Sequence, residues 1–511
     1  MAAGLGQARC WSLIEKAKKM IADIFGYSIY FGIAVALAVV GTLVLGLMLH
    51  AGTHIRKEPL PVLFFGIVAS IMAIPITTGR FISAGMGTSE ASFEDVGSSF
   101  WINRLITLFI LLLCVERFSR FIMRREWTHI QGWSLFWAFV VFGLTNHILN
   151  GIFGAYPSFE HKVLYALFFY FCVFLVAQSQ PERCFLFVRS TLLFFLICSA
   201  FAAVIIPRVV MDTGYSGGLG IPIRYYGLAT HANTLGPLAV VFMICLWRFP
   251  FDARWINIFS WLLASSSLLL SQSKTTIAAA LVIGLFLVIY RYYKRLEEFV
   301  PKRRFNLFMS IAACACFFLS AVIFFAWLGT DATERLLNKL DMAWGGQLTS
   351  LTGRTRIWAI AWEEFMASPW FGYGPSIWGD YYKYMIGMRA ANSAHNQILQ
   401  SLSSAGIVGL AGLAIYATML IIYALKAAHS SGGISVALVS LMLIRGFFEA
   451  PFTSSSAITS DFFVHLLALV ACIGFLSPKP NKLTVDAYGA EKKGKNQGSL
   501  SWMGNHPKTW S

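Results

Sequence analysis

The sequence predicts an all-α membrane protein, a polytopic bundle of about 12–14 transmembrane helices with one large, partly helical loop. Of its 511 residues, 57% are hydrophobic and only 13% are charged, and this charged fraction is far below that of a typical soluble domain. Long apolar runs recur from Phe25 to Phe475. A helix satisfies its own backbone hydrogen bonds inside lipid, so repeated runs of bilayer-crossing length predict a helical bundle.

Thirteen apolar runs are each about long enough to cross a bilayer, which takes roughly 20 residues. The predicted spans are 26–50, 61–77, 100–121, 133–152, 161–179, 186–207, 233–248, 255–272, 275–292, 306–328, 397–425, 434–451 and 459–476.

Basic residues cluster in the connections on one side of this predicted bundle. The clusters begin at Arg117, Arg248 and Arg291, and the tail adds more from Lys479 onward. The positive-inside bias makes that side cytoplasmic. It also accounts for the net charge of +16 without a nucleic-acid partner, because the basic residues are scattered over short loops. The opposite, extracytoplasmic side receives four connections: 78–99, 153–160, 208–232 and 329–394.

The same pattern divides the chain into five segments. We expect a basic amphipathic helix on the cytoplasmic surface at 1–25, the main bundle at 26–328, the large outer loop at 329–394, the C-terminal helices at 395–477 and a disordered cytoplasmic tail at 478–511. Thirteen spans would leave the basic N-terminus outside. Either one early segment is re-entrant, or one apolar run contains two spans.

The stretch from Leu351 to Gly409 concentrates the polar residues that could carry chemistry. Thr352 is predicted to cap a helix that runs to Ser368 and stops at Pro369. Arg354 lies in its first turn, where backbone N–H groups are unsatisfied, so it could complete an anion site suited to a diphosphate. The alternative is an arginine that reaches toward lipid headgroups.

His395 lies at the mouth of the apolar span that starts at 397. A histidine there can titrate near neutral pH and take a proton from a hydroxyl group. The alternative is an interfacial histidine bonded to a backbone carbonyl. Gly406 and Gly409 on the same helix would permit close contact with a neighbouring helix.

Further charged residues lie on or near the outer side. Arg224 precedes the span at 233–248, and Lys274 lies in the tight turn between two spans, where a lysine needs water, headgroups or an anion to face. Arg445 and Glu449 are spaced i, i+4, which predicts a structural ion pair on one helix face. The outer aromatic residues could stack on sugar rings or form an interfacial belt. These are Trp358, Trp362, Trp370, Tyr373, Trp378, Tyr381, Tyr382 and Tyr384.

The order SxSK, TGRTRIW and HNQxLQxxxxxGxxG resembles the O-antigen ligase and polymerase superfamily, over roughly residues 210 to 475. The resemblance implies a GT-C-like glycosyltransferase that uses an undecaprenyl-diphosphate-linked oligosaccharide, with neither metal nor cofactor. It implies that His395 activates the acceptor hydroxyl and that Arg354 holds the diphosphate.

The remaining predicted substrate-binding residues are Arg356, Asn396, Lys274 and Arg224. The family more often has arginine at the position of Lys274, and lysine keeps the charge but loses the bidentate fork. Arg224, with Gly227 and Asn233, resembles the Arg-x-x-Gly…Asn pattern of such proteins.

Three functions remain open at this point. A polymerase would join repeat units of an exopolysaccharide or O-antigen at the periplasmic face of the bacterial inner membrane, where a chain-length co-polymerase is an expected partner. A ligase would move a finished glycan to lipid A core. A transporter or flippase would move the lipid-linked glycan, but it should show inverted halves and ionisable sites in mid-membrane, whereas this chain places its polar residues in outer loops.

Overall fold

The computed structural model describes residues 59–78, 98–124, 132–158, 161–177, 181–213, 221–296, 351–388, 391–452 and 459–476. The predicted N-terminal segment 1–25, the spans 26–50 and 306–328, the first part of the outer loop and the tail at 478–511 lie outside the described residues.

The described part of the chain is almost entirely helical. Its helices, numbered in chain order, are α1 (Pro59–Thr78), α2 (Ser98–Arg124), α3 (Trp133–Phe153, with a π-helical stretch at Leu144–Leu149), α4 (His161–Val176), α5 (Pro181–Ile205), α6 (Ala232–Arg248), α7 (Arg254–Ser271), α8 (Lys274–Leu296), α9 (Leu351–Ala367), α10 (Asp380–Met385), α11 (Gln397–Ser431), α12 (Ile434–Gly446) and α13 (Ser460–Gly474). One helical turn, Pro207–Val210, precedes the two-residue strands β1 (Met211–Asp212) and β2 (Arg224–Tyr225), and a 3-10 turn spans Pro375–Trp378.

The predicted all-α polytopic fold is confirmed. Within the described ranges, α3, α5, α8 and α11 are long and apolar enough to cross a membrane, and five shorter apolar helices accompany them. All predicted spans except the two outside the described residues coincide with a helix. The total number of spans stays a prediction.

The core of the bundle lies around α6 and α13, which are buried along most of their length. Every residue of α13 from Phe462 to Gly474 is buried. Surrounding helices such as α5 and α8 bury one face and expose large apolar side chains on the other, as lipid-facing helices do. Within the core, His465 is hydrogen-bonded on both ring nitrogens, to the hydroxyls of Tyr170 and Tyr416, each at 2.6 Å.

The two ends of the bundle differ in character. Helices α6, α8 and α11 begin at one end, α12 ends there, and α13 begins there; we call this the polar end. The helix termini at the other end carry Arg248, Arg254 and Arg291, and we call this the basic end. The alternation of helix directions therefore separates the motif residues from the basic clusters, as the sequence predicts.

Helix α11 is broken at Gly406, where the backbone takes the non-helical angles φ 65° and ψ −159°. A continuous helix would bond the N–H groups of Ile407 and Val408 to carbonyls four residues earlier. Instead, Ile407 donates to the carbonyl of Pro369 at 2.8 Å, and Val408 donates to that of Trp370 at 3.2 Å. The loop that follows α9 therefore enters the gap in α11.

The carbonyls left behind in α11 are satisfied by the same loop. Tyr373 N–H donates to the Ser403 carbonyl at 2.8 Å, and Gly374 N–H donates to that of Ser404 at 3.0 Å. The Asn150 amide, from the end of α3, also donates to the Ser404 carbonyl. Two helical hydrogen bonds are thus replaced by four backbone hydrogen bonds to the loop, with that of Asn150 in addition, and these fix the outer segment to the membrane helix.

We expect Gly406→Ala to disrupt this junction. The positive φ disfavours any side chain, and a Cβ atom would collide with the backbone of Trp370 and Pro369. The matched control is Gly284→Ala in α8, where a Cβ atom meets nothing within 4 Å and alanine favours the helix by about 1 kcal/mol. Thermal unfolding of purified protein should show a clear loss of Tm for Gly406→Ala alone. Equal Tm values for the two variants would contradict the role given to Gly406.

Candidate functional site

The turn that follows α12, residues 447–452, is held by the first motif residues of α11. The Asn396 amide donates to the Phe447 carbonyl at 3.2 Å, and the Gln397 side-chain oxygen accepts from the Phe452 N–H at 2.9 Å. Between these two anchors, His395 Nδ1 lies 3.0 Å from Glu449 Oε2. All three residues of the His-Asn-Gln motif therefore contact the 447–452 turn.

Arg354 reaches the same turn from the first part of α9. Its Nη1 donates to the Phe448 carbonyl at 3.1 Å, and its Nη2 pairs with Glu449 Oε1 at 3.2 Å. The side chains of Arg354 and His395 are 24% and 26% exposed, whereas that of Glu449 is 12% exposed. Arg354 and His395 are thus more exposed than the carboxylate that they contact, and a ligand can reach them.

Arg224 joins this group through Asn233. The Asn233 amide nitrogen donates to Glu449 Oε1 at 3.1 Å, and its oxygen accepts from Arg224 Nη2 at 3.5 Å. Gln272, in the turn between α7 and α8, donates to the carbonyls of Ile221 and Ile223 and so fixes the strand that carries Arg224. Residues far apart in sequence are brought together at the polar end.

The hydrogen bond to Glu449 defines the chemistry of the His395 ring. An ionised carboxylate only accepts hydrogen bonds, so Nδ1 carries the hydrogen and Nε2 of the neutral ring has the free lone pair. The backbone of His395 has φ 46°, a left-handed conformation that non-glycine residues rarely adopt. The Ser393 hydroxyl accepts from its N–H, and Asn396 caps α11 directly after it. The backbone of His395 is therefore held on both sides and the ring is held by Glu449, so its Nε2 atom can serve as a base.

Glu449 stays ionised because three basic groups surround it. Burial alone would raise the pKa of this carboxyl group. The hydrogen bond and charge of His395, followed by the charges of Arg354 and Arg445, outweigh burial and lower the pKa from an ordinary value of 4.5 to about 2. Glu449 lies beyond the last residue of α12, at the polar end. At neutral pH it is a fixed negative charge behind His395 and Arg354.

The lowered pKa predicts a specific loss of stability in acid. Because the folded-state pKa lies below the unfolded value, the stabilising contribution is complete above pH 4.5 and is lost as the pH falls toward about 2. The full effect is roughly 3 kcal/mol. We expect the Tm of the wild-type protein to fall between pH 5 and pH 3 by more than that of Glu449→Gln. Thermal unfolding is measured by tryptophan fluorescence. Equal declines of Tm in the two proteins would contradict this assignment.

The predicted ion pair between Arg445 and Glu449 is replaced by two separate pairs. Arg445 is buried and pairs with Asp461 at 2.9 Å, and it also donates to the Asn233 carbonyl and to Thr276 Oγ1. Glu449 pairs with Arg354 and His395 instead. The reason is that α12 ends at Gly446, so Glu449 lies in the turn beyond the helix, where Arg354 and His395 contact its carboxylate.

The structure brings some of the predicted substrate-binding residues together and leaves others apart. Arg354 and Arg224 join the Glu449 network directly or through Asn233. Asn396 serves as the cap of α11, since its side-chain oxygen accepts from the Ile398 and Leu399 N–H groups. Lys274 is exposed at the first position of α8, two residues before Thr276, and Arg356 is exposed on α9. Their contact with substrate stays a prediction.

The outer aromatic residues divide into two sets. Trp358, Tyr373, Trp378 and Tyr382 are buried, and the last three belong to a small core in the outer segment with Ile357 and Ala361. The apolar side chains of α9 are only partly buried, because Trp362 is 50% exposed. The helix itself begins at Leu351, before the predicted cap Thr352. The exposed set, available for sugar or lipid, is Trp362, Trp370, Tyr381 and Tyr384.

Comparison with known protein families gives a match for this chain. Residues 258–414 match the family model described as O-antigen ligase. The predicted resemblance to this superfamily is confirmed over that range. The matched range contains Lys274, Arg354 and His395, and it stops before Glu449. A search of curated proteins finds no match for this chain.

The match supports glycan transfer of the O-antigen ligase and polymerase type, with a lipid-linked glycan as substrate, in a membrane protein.

The sequence alone does not reveal the role of Asp461 or the partners of Glu449. An acidic residue at the start of an apolar span is a signal that could have found Asp461, because such a charge needs a partner. The partners of Glu449 come from distant segments, and no local spacing indicates them.

Proposed function

We propose that this protein polymerises repeat units of an exopolysaccharide or O-antigen, transferring the glycan from an undecaprenyl-diphosphate donor at the periplasmic face of the inner membrane. The observation that carries the proposal is the convergence of Arg354 and His395 on Glu449. One group can stabilise a leaving diphosphate and the other can accept a proton, within one network.

The reaction needs only these two kinds of assistance. His395 Nε2 takes the proton of an acceptor sugar hydroxyl as its oxygen attacks the anomeric carbon of the donor. The bond between that carbon and the phosphate oxygen breaks, and the electron pair leaves with undecaprenyl diphosphate. Arg354, with Arg224 linked to the same network through Asn233, stabilises the charge that develops on the leaving oxygen. Because cationic side chains can supply this stabilisation, we propose that transfer is metal-independent.

The distribution of charge supports a periplasmic site. The basic clusters lie at the end of the bundle opposite to Glu449, and the positive-inside bias assigns such clusters to the cytoplasm. Arg354 reaches Glu449 directly and Arg224 reaches it through Asn233, so two guanidinium groups belong to this network at the polar end. A guanidinium group can bind a phosphate through two parallel hydrogen bonds, which favours an anionic ligand there.

A reconstitution tests the proposal. Purified protein in liposomes is given an undecaprenyl-diphosphate-linked oligosaccharide, with a chelator of divalent metals, and the products are sized by mass spectrometry. A ladder of repeat multiples is expected for a polymerase. One discrete product, formed only when lipid A core is added, would mean a ligase. No product in either case, with flipping of the donor across the vesicle, would replace the enzyme by a transporter.

A further inference from the structure

Glu449 divides its two oxygens between the two functional groups of the site. Oε1 accepts from Arg354 Nη2 at 3.2 Å and from the Asn233 amide at 3.1 Å, whereas Oε2 accepts from His395 at 3.0 Å. One negative charge is therefore shared between the residue that would hold the donor and the residue that would activate the acceptor.

The contact between Arg354 and Glu449 is of a kind that a phosphate can replace. Only Nη2 reaches the carboxylate, while Nη1 donates to the Phe448 carbonyl, so the pair lacks the two parallel bonds of a bidentate arginine–carboxylate contact. A diphosphate offers more negative charge and more acceptor oxygens than a carboxylate. Arg354 is also the more exposed partner, so a phosphate can approach it without entering the interior.

Glu449 keeps its other polar contacts when Arg354 moves away from it. Asn233 still donates to Oε1, His395 still donates to Oε2, and the buried charge of Arg445 remains nearby. The carboxylate charge is then shared with fewer cations, and more of it acts on the His395 ring. A carboxylate at Nδ1–H stabilises the positive charge that the ring gains when Nε2 accepts a proton.

We propose that Glu449 is an internal competitor of the donor diphosphate: it occupies Arg354 in the donor-free protein, and the donor displaces it, which leaves its charge to His395. This inference rests on the proposed function. Donor binding and activation of the base become one exchange, so the donor binds before the acceptor hydroxyl is deprotonated. Glu449 is a positioning residue and does not touch the reacting atoms.

The test is the substitution Glu449→Gln, with binding of undecaprenyl diphosphate and transfer measured separately. Removing the competing charge should tighten undecaprenyl diphosphate binding roughly tenfold, within the usual range of coupling between sites. The same change should slow transfer turnover about 100-fold, because His395 loses the charge behind it. A purely structural role predicts weaker binding together with slower turnover, and that result would overturn the proposal.

Asp461→Asn is the matched control. It removes one carboxylate from the same end of the bundle, but this carboxylate pairs with Arg445. Its effect on undecaprenyl diphosphate binding should be at most about twofold. If both variants bound undecaprenyl diphosphate equally more tightly, the cause would be a general gain in positive potential. That result would overturn the proposed displacement of Glu449 from Arg354. In an Arg354→Ala background, Glu449→Gln should no longer tighten binding, and persistence of the effect would also count against the exchange.

Two further measurements keep the outcome decisive. If Glu449→Gln does not accumulate as folded protein, Glu449→Asp withdraws the carboxylate by one methylene and should tighten binding about threefold; weaker binding there overturns the proposal. The wild-type protein separates this inference from the proposed function. Failure of wild type to bind undecaprenyl diphosphate would reject both, whereas binding that Arg354→Ala weakens and Glu449→Gln also weakens would reject the exchange alone.

Discussion

His395→Ala should abolish glycan transfer while the protein stays folded and inserted. Of the two ring nitrogens, Nε2 is the one with a free lone pair, and loss of a general base typically costs about 10²–10⁴-fold in rate. The measurement is turnover in proteoliposomes with the lipid-linked oligosaccharide. We expect kcat to fall and the KM for donor to change by less than tenfold, since the ring acts on the acceptor.

The matched control is His429→Ala, at the opposite end of the same helix. His429 is exposed in the last turn of α11, at the basic end. This variant should retain transfer within about twofold of wild type. Transfer by His395→Ala at a rate within a few-fold of wild type would remove His395 from the reaction and leave its role as a fixed part of the 447–452 turn.

Arg354→Ala should lose both donor affinity and transfer. A guanidinium that stabilises a leaving diphosphate typically contributes about 10²–10³-fold to the rate. Because its removal also leaves Glu449 with one cation fewer, Arg354→Lys is the informative companion. Lysine keeps the charge but cannot bond two oxygens in a plane, so transfer should be intermediate between the wild type and Arg354→Ala.

Arg356 offers a comparison on the same helix. It is exposed and two residues from Arg354, so Arg356→Ala changes the local charge equally without touching the Glu449 network. We expect its kcat/KM to fall by less than tenfold. Loss of activity as large as that of Arg354→Ala would mean that the donor is held on the exposed face of α9. The donor-binding site would then lie on that face of α9 and not at Glu449.

The helices and the two central residues could be predicted from the sequence because each depends on local information. Bilayer-crossing length is read directly from an apolar run, as for α3 and α5. Arg354 and His395 both stand at the start of a helix beside apolar sequence, where a charged or titratable group needs a polar partner. The order of the sequence motifs then indicates the resemblance to the family.

The partners could not be predicted, because they depend on how distant segments pack. Glu449 is four residues after Arg445, and this spacing indicates a local pair only if the helix continues. The helix ends at Gly446, and the carboxylate meets residues 54 and 95 positions earlier in the chain. Asn396 has a structural role that its position beside His395 does not indicate. A polar residue beside a catalytic candidate suggests substrate contact, yet its side chain is used as a helix cap.

The gap at Gly406 determines how this protein can be recombined with its relatives. Residues 369–374 complete the hydrogen bonding of α11, so the outer segment and the first third of that helix form one exchangeable unit. Grafting a relative's outer loop alone would pair a foreign backbone with Ser403 to Val408 and leave polar groups unmatched near the lipid. A chimera that carries 351–408 as a block preserves these bonds. Attempts to transplant sugar specificity should therefore move helix and loop together.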